Sequence, residues 1–81
     1  MTQKFIKKNL KLSLDFDHHV VRDPNILAKV PKGACIVITT KGDKHFNRES
    51  KVLAESVTKD GEKCFEARKE GSRWTVKQFA Y

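Results

Sequence analysis

The chain has no long apolar run. No window of its 81 residues approaches the roughly 18 consecutive apolar residues of a membrane-spanning helix, so no such helix is expected. Glycine is scarce and scattered: Gly33, Gly42, Gly61 and Gly71 stand alone between candidate elements. None belongs to a GxGxxG or P-loop pattern, which excludes the common phosphate-cradling loops. The only cysteines, Cys35 and Cys64, lie far apart in apolar surroundings, and their spacing is not that of a zinc site. No serine sits in a nucleophile-elbow context, and no Cys–His pairing follows from the positions. An enzyme is therefore not expected, and neither is a cofactor. His18-His19 could suggest a metal, but adjacent helical residues point about 100° apart and do not chelate one ion together.

Acidic residues are in deficit. Seventeen Lys and Arg face ten Asp and Glu, giving a net charge of +7 and a pI near 9.7. The excess is +4 in residues 1–40 and +3 in residues 41–81, so it is spread over the fold and not held in a tail. It favours anionic partners, nucleic acid or an acidic protein, or serves solubility alone. The 38% apolar content is too high for a disordered chain and suits one small core, so residues 1–81 read as a single domain. Met1-Thr2-Gln3-Lys4 leads straight into an amphipathic pattern with no apolar leader core. The expectation is a cytoplasmic, reduced protein with both thiols free and acting as small apolar fillers. A disulfide requires the two strands that carry them to be neighbours.

What organises the chain is Ala34-Cys35-Ile36-Val37-Ile38-Thr39. This run is short, β-branched and bounded by glycine-containing turns, so it reads as a fully buried, central strand. Ahead of it, Thr2 to Arg22 has helical period with Thr2 as N-cap. Phe5, Ile6, Leu10, Leu12, Leu14, Phe16, Val20 and Val21 share one arc, wider than the ~100° stripe of an ordinary surface helix. Such a helix should touch more than one neighbour, either sheet plus helix or sheet plus another subunit. Its other face is basic, with Lys4, Lys7, Lys8, Lys11 and Arg22. Asn9, Ser13 and Asp17 run along the middle of the apolar arc. They read either as holding loop backbone near Pro31 or Gly42, or as a polar line facing a cleft or dimer seam.

Asp23-Pro24 starts a second, short helix, with Asp as cap and Pro at the first position, ended by Pro31. After the strand, Asp43 caps a third helix carrying Phe46, Ser50, Leu53 and Val57 and stopping at Asp60-Gly61. Strand, helix and strand in this order make a right-handed crossover between parallel strands. The last segment is a hairpin; with Glu70-Gly71 as its loop, Phe65 lies opposite Val76 and Ala67 opposite Trp74 on an apolar side, while a bulged or four-residue loop is the alternative because Glu-Gly is not the preferred Asn-Gly turn. Cys64, Glu66, Arg68, Arg73, Thr75, Lys77 and Phe79 lie on the other side. The fold class is α/β (α+β): two layers in the order α-α-β-α-β-β, with a small three-stranded mixed sheet.

At Lys8-Asn9-Leu10-Lys11-Leu12-Ser13, Phe16-Asp17, Asp23-Pro24 and Pro31 to Ala34 the chain resembles a group of short prokaryotic proteins classed as a domain of unknown function. The resemblance covers the first half and implies topology without implying an activity.

Two functional expectations follow. The first is a small non-enzymatic interaction module, homodimeric because helices on one side would leave half of the apolar strand uncovered. The second is nucleic-acid binding, through Lys4, Lys7, Lys8, Lys11 and Arg22, or through Arg68, Arg73 and Lys77 beside Phe79 and Tyr81, where bases stack on rings while cations meet phosphates. Lys41 and Lys44 near a helix N-terminus are a further anion candidate, though the charge of Asp43 opposes an anion there. A membrane surface is not expected, because the apolar side of the first helix belongs to the core.

Overall fold

The computed structural model describes residues 2–58, 61 and 63–79. Its elements are α1 (Gln3–Arg22), a 3₁₀ turn (Pro24–Leu27), β1 (Cys35–Thr40), α2 (Lys44–Thr58), β2 (Cys64–Glu70) and β3 (Arg73–Gln78). No helix among these residues is long and apolar enough to cross a membrane. Thr2 caps α1 as expected, its hydroxyl accepting from the Phe5 N–H at 3.1 Å. Asp43 caps α2 in the same way, accepting from the Phe46 N–H at 3.0 Å. The second helix is only a 3₁₀ turn, and Asp23 makes no side-chain cap to it. Asp23 instead ends α1, its N–H bonded to the His19 carbonyl at 2.9 Å. Pro31 leaves too little chain for a full α-helical unit there.

The sheet order is β1-β2-β3, with β1 parallel to β2 and β3 antiparallel to β2. β3 therefore lies outside β2, an order the sequence left open, and β1, read there as the central strand, is an edge. The layering also differs from the expected two. Ile36 and Ile38 join Phe5, Leu12, Phe16, Val20 and Trp74 in one apolar cluster. Val37 packs with Leu53, Ala54, Val57, Cys64 and Phe79 in another. Successive strand residues face opposite ways, so α1 covers one side of β1 and α2 the other. The uncovered face that argued for a dimer is closed by the chain's own α2. Two aromatic pairs fix α1: Phe5 on Phe46 and Phe16 on Trp74, each with ring centroids 5.0 Å apart.

The outer edge of β1 is closed at one end. The Asn47 amide donates to the Thr40 carbonyl and accepts from the Thr40 N–H, both at 2.8 Å. It thus meets both backbone groups as a neighbouring strand would. In the hairpin Ala67 faces Val76 and Lys69 faces Trp74, a register two residues away from the expected one. The loop is Gly71-Ser72, with Gly71 at φ 62°, the residue that a II′ turn favours in its first position.

Cys35 and Cys64 are register partners at the start of β1 and β2. Their Cα atoms are 4.4 Å apart, and the side chains form a disulfide. The expectation of free thiols fails because parallel pairing sets both residues on the α2 side of adjacent strands. The bond closes a loop with a sequence separation of 29. Replacing both cysteines by alanine should lower unfolding free energy by about 3.5 kcal/mol, measured by urea denaturation against the oxidised parent.

Candidate interaction surface

The cationic residues of the expected sites divide into paired and unpaired groups. Arg68 is held on the sheet, its Nε 3.1 Å from Glu70 Oε1 and its Nη1 3.8 Å from Glu66 Oε2. Lys77 Nζ lies 3.8 Å from Glu66 Oε1. Glu66 is buried and also accepts from the Thr39 hydroxyl at 2.6 Å. These pairs neutralise much of the positive charge on the hairpin and leave Arg73 exposed. Phe79 is buried in the α2-side core and offers no ring for stacking, contrary to expectation. Tyr81 lies outside the described residues.

On α1, Lys8 is ion-paired with Asp43, and its Nζ sits 5.3 Å above the centroid of the Phe46 ring. Asp43 thus occupies the α2 N-terminus itself, which removes the anion site suggested by Lys41 and Lys44. Lys69 pairs with Asp15 and lies 5.8 Å over the Trp74 ring. Lys4, Lys7, Lys11 and Arg22 are exposed and form no salt bridge among the described residues, Arg22 acting on Asp15 only through its longer-range charge. At about 100° per residue they fall within roughly 60° of arc, a single basic ridge.

The apolar arc of α1 is only half committed to the core. Phe5 and Phe16 are buried, and Leu12 and Val20 pack beside them. Ile6, Leu10, Leu14 and Val21 remain 53%, 60%, 54% and 81% exposed. They span about 80° of arc next to the basic ridge. No element among the described residues covers them. Of the polar line, Ser13 and Asp17 border a cleft of about 240 Å³ together with Val20, Leu27, Ile36 and Ile38. Asn9 is half-buried nearby on α1. None of the three side chains holds the turns at Pro31 or Gly42, so the loop-anchoring role is absent among the described residues. The exposed half-arc could be suspected from its excess width. The Asn47 clamp had no signal in the sequence.

Both α1 ion pairs depress a carboxylate. Hydrogen bonding from Lys69 holds Asp15 below its ordinary value of 3.8, and hydrogen bonding from Lys8, then from the Phe46 N–H, does the same for Asp43. Because the folded values lie below the unfolded ones, the unfolded chain takes up protons first on acidification. The stability from these pairs is therefore complete above the unfolded value and is lost as pH falls through the folded ones. Asp43→Asn keeps an N-cap but removes the charge. Its thermal midpoint should fall less than that of the parent between pH 5 and about pH 2, followed by circular dichroism.

A family model described as "Family of unknown function (DUF5647)" matches residues 4–76, well beyond the half that carries the sequence resemblance and into β3. No curated protein and no solved structure matches.

Proposed function

The chain belongs to the DUF5647 family of unknown function, and from that premise we propose that it is a small non-enzymatic binding module that pairs with a second copy of itself along α1. The observation that carries this reading is the exposed row Ile6, Leu10, Leu14 and Val21. Large aliphatic side chains left in water on one helix side gain by being covered, at roughly 25 cal/mol per Å². A flat 20-residue helix offers a surface about 30 Å long for doing so. A cytoplasmic location belongs to the same reading.

Sedimentation equilibrium tests the pairing. The wild type should approach twice the 9.3 kDa chain mass as concentration rises. Leu10→Lys/Leu14→Lys should stay at the chain mass with unchanged helicity. A wild type that remains monomeric at every concentration overturns the reading.

A second reading rests on the unpaired ridge of Lys4, Lys7, Lys11 and Arg22: binding of a nucleic-acid backbone along α1. Affinity for single- and double-stranded oligonucleotides should then fall steeply with added salt, with a log–log slope near −3 to −4 for about four phosphate contacts. Lys4→Ala/Lys11→Ala should flatten that slope. No binding at low salt refutes it.

A further inference from the structure

The outermost line of α1 repeats with the spacing of a coiled-coil seam. Gln3, Lys7, Leu10, Leu14, Asp17 and Val21 alternate steps of four and three, and all six are exposed. At about 100° per residue they lie within roughly 80° of one another and point nearly opposite the Phe5–Phe16 side that meets the sheet. A partner helix can therefore approach this line from solvent, meeting the rest of the fold only near Asp17, at the rim of the cleft with Leu27, Ile36 and Ile38.

The line is also symmetric in its chemistry. About a midpoint at Leu12, Leu10 mirrors Leu14, Lys7 mirrors Asp17, and Gln3 mirrors Val21. We infer that α1 pairs antiparallel with α1 of a second copy in this one register. Leu10 of each chain packs on Leu14 of the other, and Lys7 of each chain meets Asp17 of the other. Antiparallel seams match the two heptad core positions with each other, and these three pairings do so. The inference rests on the self-pairing proposed above and adds its orientation and register.

Charge complementarity selects this occupant. Each chain carries a net +7, so two copies repel overall, and a contact between them needs local opposite charges. Asp17 is the exposed acid on the seam, and this register brings it to Lys7 twice per pair. Shifting one helix by a heptad removes those two contacts and sets Lys7 against Leu10 or Asp17 against Leu14, while turning it parallel brings lysine toward lysine and aspartate toward aspartate. The pairing also gives a role to Asp17, which otherwise makes no ion pair within the described residues. The seam covers about 27 Å of helix, a modest contact at the small end of specific interfaces.

Charge reversal decides it. Lys7→Glu and Asp17→Lys each turn both contacts into like-charge pairs and should weaken the homodimer by on the order of tenfold or more. Both positions are exposed, so circular dichroism should show the fold intact. Mixed together, the two variants restore both contacts in the heterodimer, and the weight-average mass in sedimentation should rise on mixing toward that of the wild-type pair. The double variant Lys7→Glu/Asp17→Lys should dimerise within about threefold of the wild type. If the wild type dimerises but the single variants do too, or mixing restores nothing, the register is wrong while self-pairing stands. A monomeric wild type overturns both.

Discussion

β1 has no polar side, and the rest of the molecule follows from that constraint. Ile36 and Ile38 point one way, and Val37 and Thr39 the other. A strand of this kind at the edge of a sheet needs a cover on each face. The crossover from β1 to β2 lays α2 on one face. That leaves the other to α1, which arrives first in the chain and is anchored by Phe5 against Phe46 and Phe16 against Trp74. Only β3 is free of the demand, which is why its alternate residues Arg73, Thr75 and Lys77 are exposed.

The elements themselves were largely legible, because caps and periodicity are local: Thr2, Asp43 and the β-branched run each mark a boundary without tertiary help. Three things were not. Shifting the hairpin by two residues keeps every side chain on its face, so the apolar pattern could not separate the two registers. The Gly71-Ser72 turn decides between them. The Cys35–Cys64 bond depends on the alignment of two strands separated by a whole helix, which no local signal fixes. The width of the apolar arc on α1 announced a second neighbour, but not which half of the arc the sheet would take. For the candidate site, the lysines of α1 were readable as exposed. The burial of Phe79 was not, because it depends on β3 ending beneath α2.

The basic excess is better understood as two populations. Lys8, Lys69 and Lys77 face Asp43, Asp15 and Glu66 and tie elements together, while Arg68 pairs with Glu66 and Glu70 of its own strand. Lys4, Lys7, Lys11 and Arg22 stand on α1 without such duty. A two-fold axis relating antiparallel helices runs perpendicular to both and carries the flank of each to the same side. Lys4, Lys11 and Arg22 of two copies would then form one continuous positive face. Self-pairing and attraction to an anionic polymer are thus compatible uses of a single helix, one on its seam and one on its flank.

The disulfide has a mechanical consequence. It joins the first residue of β1 to the first residue of β2, so β1, the crossover helix and the turn before β2 hang on a closed ring. Tension applied at the two termini passes through the sulfurs and bypasses everything between them. A fully stretched chain is shorter by about 100 Å, the contour of a sequence separation of 29 that never enters the load path. A single protease cut inside that ring likewise leaves the molecule in one piece.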